Sequence, residues 1–258
     1  MTYQNILSEI KTNILYITIN REKKLNALNK ETLAELADVI AYAEETGEVR
    51  AVLLTGAGEK AFVAGADISE FAAYSTAEGE ELARVGQAKV FNAIENSSKP
   101  FLAAINGFAL GGGLELAMAC HIRVAAETAR MGLPEVTLGL IPGYGGTQRL
   151  THLVGKGRAL EMITTAEMIT AEKAEKIGLV NHVVPLAELI NKAEEILNKI
   201  KERAPLAIAS AIKSVNAAKD KDGFETEIKE FGNCFGTEDF KEGVNAFLEK
   251  RRSEFKGR

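Results

Sequence analysis

Short apolar runs alternate with helical patterns through the first 200 residues, and this alternation restricts the fold more than any other feature of the sequence. In the segment 29–45, apolar residues recur at steps of three and four, which indicates an amphipathic helix. The run 50–56 is short, apolar and ended by glycine, as in a parallel strand that is covered on both faces. A helix over about 76–95 and a strand over 101–105 repeat the cycle. The sequence therefore predicts an α/β fold with a layered core.

Different patterns flank this alternation at the two ends of the chain. Near the N-terminus, β-branched and large apolar residues alternate and predict two strands, 5–10 and 14–20, joined as a hairpin. After Pro185 an almost unbroken apolar stripe predicts a helix, and further helical patterns follow. We expect an α/β core over 1–200 and a helical domain over 201–258. The apolar stripes of the helical domain must dock on the core or on a neighbouring subunit.

Composition and charge exclude several classes of protein. The 258 residues include 31 basic and 36 acidic ones, and the formal charge of −5 argues against a surface built mainly for nucleic acid. The sequence opens with no basic and apolar leader, and nowhere do 18 apolar residues run together, so we expect a cytoplasmic protein outside the membrane. Cys120 and Cys234 form no CxxC, and His121, His152 and His182 lack ligand spacing. We therefore expect neither a disulfide nor a metal site.

Three consecutive glycines, Gly111, Gly112 and Gly113, precede a short apolar helical segment. Inside a helix or strand each glycine costs about 0.5–1 kcal/mol relative to alanine, so the run indicates a close approach of the backbone to something. The amides of the run point toward whatever lies at the helix start. Glu115 lies within the apolar segment, where an ionised carboxylate without partners costs several kcal/mol. It must carry a proton, accept hydrogen bonds or hold a water, and catalysis is the interpretation that we favour.

Two further segments depart from regular strand and helix patterns. In 62–68, small residues lead into a helix start, which suits either a ligand that touches the backbone or a tight packing turn. In 131–140, Pro134 stiffens the turn that presents Glu135, so this acid is either catalytic or a helix cap. The glycine-rich loop 141–150 lacks the Lys-Ser or Lys-Thr pair of a nucleotide-binding P-loop.

Four strings in this order resemble the enoyl-CoA hydratase family, the crotonases: FVAGADI, NGFALGGGLELAMACHIRVAA, GLPEVTLGLIPGYGGTQRL and EDFKEGVNAFLEKR. The resemblance extends over nearly the whole chain. It implies a crotonase-like spiral of repeated ββα units with a C-terminal helical domain used in trimer formation. It also implies a homohexamer built as a dimer of trimers.

The resemblance assigns roles to particular residues. Glu115 and Glu135 match the two catalytic acids, with Glu115 activating the water that attacks C3 and Glu135 delivering the proton to C2. The N–H groups of Ala66 and Gly112 match the oxyanion hole that binds the thioester oxygen. The residues expected to bind coenzyme A or the substrate are Lys24, Leu25, Ala27, Ala64, Gly65, Asp67, Ile68 and Gly143. The implied activity is reversible hydration of short-chain trans-2-enoyl-CoA, with no cofactor beyond the coenzyme A of the substrate.

Other functions share parts of this pattern. Other acyl-CoA enzymes of the crotonase superfamily, namely isomerases, dehalogenases, hydrolases and decarboxylases, share the oxyanion hole but vary the acids. An enoyl-CoA isomerase, which could work with one carboxylate, is our second choice. A Clp-type serine protease would need a Ser/His/Asp arrangement, and the nucleophile position here carries Glu115. The acidic balance argues against RNA binding, although 250–252 is a local basic patch. A Rossmann dehydrogenase would need a GxGxxG after a strand and an acid about 20 residues on, which the sequence lacks. The segment 70–86 is the expected lining of the acyl end.

Overall fold

The computed structural model describes residues 3–258, apart from the side chain of Lys219. The strands within this range are β1 (Ile6–Lys11), β2 (Ile14–Ile19), β3 (Ala51–Gly56), β4 (Ala61–Val63), β5 (Phe101–Ile105), β6 (Phe108–Leu110), β7 (Ile122–Ala126), β8 (Arg130–Gly132), β9 (Ile169–Thr170) and β10 (His182–Val184). A six-stranded sheet has the order β1-β2-β3-β5-β7-β10, and a four-stranded sheet has the order β4-β6-β8-β9. In the larger sheet β1 pairs antiparallel with β2, and every other pair is parallel.

Helices connect and cover the sheets. They are α1 (Lys30–Glu45), α2 (Thr76–Gly86), α3 (Asn92–Glu95), α4 (Gly112–Ala119), α5 (Gly146–Val154), α6 (Lys156–Thr165), α7 (Ala171–Lys176), α8 (Leu189–Lys201), α9 (Pro205–Asn216), α10 (Gly223–Cys234) and α11 (Glu238–Glu249). The main hydrophobic core lies between the larger sheet, the smaller sheet and α1 to α7. A second apolar cluster joins the other face of the larger sheet to α8.

The chain visits the two sheets in turn. From β3 in the larger sheet it passes to β4 in the smaller sheet, returns through α2 and α3 to β5, and repeats the cycle with β6, α4 and β7. The strands β3 and β5 are buried along almost their whole length because helices or the smaller sheet cover both of their faces. This arrangement confirms the predicted spiral of ββα units.

Local sequence signals explain where several elements begin. The side chain of Asn29 accepts a hydrogen bond from the N–H of Thr32 and caps α1, as an asparagine does at a helix start. The predicted hairpin is formed by β1 and β2, with Thr12 and Asn13 both at positive φ in its turn. Pro205 occupies the first turn of α9, where its missing N–H costs no hydrogen bond.

The helix predicted over 76–95 is not a single regular helix. It consists of α2, one π-helical turn over Gln87–Phe91, and α3. A π-helical turn contains one residue more than an α-helical turn, and apolar periodicity over a short window does not reveal it. The turn places the side-chain amide of Gln87 2.7 Å from the carbonyl oxygen of Gly143, to which it donates a hydrogen bond.

The last three helices leave many large apolar side chains in contact with solvent. On α10 and α11 the most exposed are Phe224, Ile228, Phe231, Phe247 and Leu248. Phe224 is 84% exposed and Phe247 82%, although burial of an aromatic side chain is strongly favourable. The predicted apolar stripes are therefore present and are not covered by the rest of the chain described. Among the helices of residues 3–258, none has the length and apolar character needed to cross a membrane.

Candidate active site

The small parallel sheet brings the three irregular segments together. The strands β4, β6 and β8 run parallel, so the residues that follow each strand meet at one edge of the sheet. Residues 64–67 follow β4, the glycine run follows β6, and Glu135 follows β8. Ligands of α/β proteins commonly bind at the carboxyl ends of parallel strands.

The glycine run allows two backbones to come into contact. A Cβ on Gly113 would overlap the carbonyl oxygen of Val63, so only glycine lets the start of α4 lie against β4. Gly111 has φ 51°, which also favours glycine, and a Cβ there would lie 3.9 Å from the Cα of Gly65. The segment 64–67 and the start of α4 are therefore neighbours.

Two main-chain N–H groups at this contact have no acceptor in the part of the chain that the structure describes. Gly112 is the first residue of α4, where N–H groups lack partners within the helix. Leu28 pairs with Ala66 by donating to the Gly65 carbonyl at 2.9 Å and accepting from the Asp67 N–H at 2.7 Å. This pairing holds the backbone of Ala66 but does not use its N–H. Within residues 3–258, neither the Ala66 nor the Gly112 N–H donates a hydrogen bond.

Glu115 is buried and its carboxylate is oriented by the backbone. It lies in the first turn of α4 with 1% of its surface exposed. Its Oε1 accepts hydrogen bonds from the N–H groups of Tyr144 at 2.8 Å and Gly146 at 2.7 Å. Burial raises the pKa of Glu115 to about 7, although these N–H groups stabilise the charged form and oppose the rise. A carboxyl group with this pKa exchanges protons readily near neutral pH.

Glu135 presents a buried oxygen that has no partner. Its Oε2 is the one buried side-chain oxygen or nitrogen in the described part of the chain, exposed residues aside, that makes no hydrogen bond. Its Oε1 would lie 2.9 Å from a Cβ on Gly111, so the carboxyl group lies directly against the glycine run. Burial raises the pKa of Glu135, and the negative charge of Glu135 in turn raises the pKa of Glu115. Glu135 also begins the short 3₁₀ helix Glu135–Leu138, a position that suits an acidic residue as well.

Most of the residues expected to bind coenzyme A form one surface beside the oxyanion segment. The N–H of Ala64 donates to the carbonyl of Leu25 at 3.0 Å. Arg21 bridges the two segments, because its guanidinium donates to the Ala27 carbonyl and lies 3.2 Å from the Asp67 carboxylate. The structure thus brings together Leu25, Ala27, Ala64, Gly65, Asp67 and Ile68, with Lys24 exposed at one end.

Gly143 lies elsewhere in the site. Its carbonyl accepts the hydrogen bond from Gln87, and a Cβ on it would lie 3.9 Å from that of Ala83 on α2. It therefore belongs to the wall that α2 forms. Among residues 3–258 no group of three or more His, Cys, Asp or Glu side chains is placed to hold a metal ion.

Two residues of the site were not singled out from the sequence. Tyr144 stacks on Phe91 with ring centroids 4.7 Å apart, and a Cβ on Gly112 would lie 3.5 Å from its ring, in ordinary van der Waals contact. Arg149 is a buried arginine that donates to the Tyr144 carbonyl at 2.8 Å. A basic residue within the apolar pattern of α5 is a sequence signal that could have identified Arg149, whereas an aromatic residue in a glycine-rich loop is ambiguous.

Comparisons with known sequences and structures match proteins of one family. A sequence model of the enoyl-CoA hydratase/isomerase family matches residues 9–258. The short-chain-enoyl-CoA hydratase of Clostridium acetobutylicum is 51% identical over 264 residues, covering 100% of both chains. The crotonyl-CoA hydratase of Syntrophomonas wolfei is 45% identical, with 99% of each chain covered. A crystal structure of an enoyl-CoA hydratase from Bacillus anthracis superposes with a TM-score of 0.93 and 41% identity, covering 99% of this chain and 100% of that one.

Proposed function

Because the chain belongs to the enoyl-CoA hydratase/isomerase family, we propose that it catalyses the reversible hydration of short-chain trans-2-enoyl-CoA thioesters to 3-hydroxyacyl-CoA thioesters. One observation carries the proposal: the buried carboxyl group of Glu115 and the half-buried carboxyl group of Glu135 lie beside two main-chain N–H groups that have no acceptor among residues 3–258. Hydration needs this combination, because the same small site must activate a water, supply a proton and stabilise an enolate.

The two N–H groups supply the electrophilic part of the reaction. When water adds to C3, negative charge moves through C2 onto the thioester oxygen. In the proposed complex this oxygen accepts hydrogen bonds from Ala66 and Gly112, whose backbones are already fixed by the Leu28 pairing and by the start of α4. Removing one such donor typically costs about 3–4 kcal/mol of transition-state stabilisation. The N-terminal end of α4 adds a favourable partial positive charge.

The two glutamates move the protons. In hydration, the Glu115 carboxylate takes a proton from the water as its oxygen bonds to C3, and protonated Glu135 gives its proton to C2. The C2–C3 π bond is lost while C3–O and C2–H bonds form, so one turnover shifts a proton from Glu135 to Glu115. Exchange with solvent restores the starting state. Dehydration runs the same steps backwards with the proton initially on Glu115, and the pKa of about 7 suits both directions.

Retention of both carboxyl groups distinguishes this proposal from the isomerase alternative. An isomerase moves a proton between two carbons and needs no second group to activate water, whereas both Glu115 and Glu135 lie in this site. The test is to add crotonyl-CoA to the purified protein and follow the absorbance of the conjugated thioester. We expect rapid loss of absorbance and formation of 3-hydroxybutyryl-CoA. Absence of hydration, with conversion of a 3-enoyl-CoA instead, would establish the isomerase.

The side chain of Tyr144 supports a short acyl chain. A Cβ on Gly86 of α2 would overlap the Tyr144 ring, and the other side of the ring lies near Gly112. The ring therefore fills space between α2 and the oxyanion N–H. The names of the two relatives, short-chain-enoyl-CoA hydratase and crotonyl-CoA hydratase, favour the same conclusion.

The proposed reaction requires no cofactor other than the coenzyme A carried by the substrate. Proton transfer and hydrogen bonding account for each step, and the groups that perform them belong to the chain. Activity should survive dialysis against a metal chelator. It should also survive gel filtration that removes small molecules, when the protein is then assayed with substrate alone. Loss of activity that a metal salt restores would contradict this part of the proposal.

The assembly proposed for the protein is a homohexamer built as a dimer of trimers, with the helical domain 201–258 forming the trimer contacts. Its support is the exposed apolar face of α10 and α11, which is too large to remain in water. Light scattering should give the mass of six chains, and Phe231→Asp should lower it. Leu7→Asp, at a 55% exposed apolar residue on β1, is the control that should leave the mass unchanged.

A further inference from the structure

Arg149 makes an unusually complete set of contacts behind the active site. It lies on α5 with 5% of its surface exposed. Its Nε and Nη2 donate to Oε2 of Glu95 at 3.0 and 2.7 Å, and Nη2 also donates to Oδ1 of Asn92 at 2.7 Å. Its Nη1 donates to the carbonyl of Tyr144 at 2.8 Å. The guanidinium thus joins α5, α3 and the loop before α5.

The loop that Arg149 holds is the one that orients Glu115. The N–H groups of Tyr144 and Gly146, on either side of Gly145, both donate to Oε1 of Glu115. Gly145 has φ 96°, and a Cβ there would overlap Nη1 of Arg149. One face of the turn therefore contacts the Arg149 guanidinium, and the other face donates hydrogen bonds to the Glu115 carboxylate. Because Oε1 is held by two donors, Oε2 remains for the water.

We propose that Arg149, itself fixed by Glu95, is a positioning residue for Glu115, and that it acts through the turn 144–146 without touching the substrate. The inference rests on the proposed hydration reaction, because it concerns the residue that orients Glu115, the base of that reaction. A buried arginine used only for packing would not need its charge to face this turn. Here the Arg149 guanidinium binds the carbonyl of Tyr144, and the N–H of the same residue binds the Glu115 carboxylate.

The charge of Arg149 also favours the ionised form of Glu115. Burial and the negative charge of Glu135 raise the pKa of Glu115, and the positive charge of Arg149 lowers it. Tyr144 is the other titratable group that faces Glu115. Glu95 contacts the Arg149 guanidinium directly, and Cys120, His121, Arg123 and His152 line the same cavity as Arg149. Removing Arg149 should therefore raise the pKa of Glu115. Glu95→Gln removes the negative charge that offsets the charge of Arg149, so it should lower the pKa of Glu115.

These opposite signs give a test that a purely structural role would not pass. Steady-state hydration of crotonyl-CoA is measured from pH 5 to 9 for Arg149→Met, Arg149→Lys and Glu95→Gln. Arg203→Met removes an exposed arginine after α8 and serves as the matched control. We expect Arg149→Met to lower kcat about 10- to 100-fold, because small misplacement of a catalytic group is costly, with less than about threefold change in KM. Arg149→Lys should recover part of kcat.

The acid limb of the pH profile should move to higher pH in Arg149→Met and to lower pH in Glu95→Gln, and Arg203→Met should match the wild type. Equal kcat in Arg149→Met and the control, or an acid limb that moves the same way in both Arg149→Met and Glu95→Gln, would overturn the inference. If Arg149→Met does not fold, the direction of the Glu95→Gln shift decides. A wild-type protein that does not hydrate crotonyl-CoA would refute the proposed function, whereas an active wild type with an unaffected Arg149→Met would refute only the role of Arg149.

Discussion

Replacing Glu115 by glutamine should make the protein more stable at pH 8 while abolishing its activity. The glutamine Oε1 can still accept the N–H groups of Tyr144 and Gly146, and the side chain has nearly the same shape. It carries no charge, however, and burying a charge is what raises the pKa of the glutamate. At pH 8 the folded wild type therefore contains a buried charge that would be more stable in water.

The magnitude follows from the shift in pKa. Burial raises the Glu115 pKa from 4.5 to about 7. Between these two values the folded protein binds a proton that the unfolded chain releases, so the stability of the wild type falls as pH rises through this window. Each unit is worth about 1.4 kcal/mol, which gives roughly 3 kcal/mol in total above pH 7. The glutamine variant does not titrate here and should keep that free energy.

Guanidinium unfolding at pH 5 and pH 8, followed by circular dichroism at one fixed protein concentration, measures the effect. The stability difference between Glu115→Gln and the wild type should increase by about 2.5 kcal/mol from the lower pH to the higher, because a small part of the effect is already present at pH 5. Glu161→Gln, on an exposed residue of α6, is the control, because water solvates its side chain in both states. The same difference at both pH values would refute the reasoning and show that burial of Glu115 carries no such cost.

Three further predictions concern catalysis. Glu135→Gln should lower kcat by about 10²–10⁴-fold with little change in KM for crotonyl-CoA, because it removes the acid but keeps the shape; an unchanged kcat would exclude its role. Gly112→Pro should cost about 10²-fold or more by deleting one N–H donor, whereas in Gly112→Ala, whose Cβ would lie 3.5 Å from Tyr144, the N–H remains and the loss should be much smaller. Tyr144→Ala should raise kcat/KM for octenoyl-CoA relative to crotonyl-CoA by about tenfold, since it clears space beside α2, and an unchanged ratio would show that the ring does not limit the chain.

The layered core could be predicted because its signals are long and repeated. The strands β3 and β5 are short apolar runs with helical patterns on either side, and their burial matches that expectation. The glutamates were recognisable for a different reason. Glu115 is a charged residue in an apolar segment, and Glu135 follows a proline, so each departs from its surroundings. Their catalytic roles remain predictions that the experiments above test.

The separation into two sheets was harder to predict from residue patterns. The strands β4, β6 and β8 have only three residues each, so no alternation can be recognised in them. Their pairing depends on contacts between residues that are far apart in the sequence, such as the place of β6 between β4 and β8. The resemblance to a known family supplied what periodicity could not.

The residues that orient Glu115 could not be recognised in the sequence for a similar reason. Arg149 and Glu95 are 54 positions apart, and nothing local marks them as partners. Tyr144 was read as part of a glycine-rich loop, although its N–H, carbonyl and ring each make a separate contact in the site. A single residue that serves three neighbours through three different groups leaves no periodic trace in a sequence.

The π-helical turn over Gln87–Phe91 sets the rotation of α2 relative to α3, and with it the position of Gly86 beside the Tyr144 ring. Each residue advances an α-helix by about 100°, so deleting Ala88 would convert the turn to an α-turn and swing α2 round by that angle relative to α3. Gly86 would leave its place under the Tyr144 ring, and a neighbour with a side chain would collide with it. A single inserted residue thus sets the rotation of α2 about its axis, and that rotation leaves room for the Tyr144 ring.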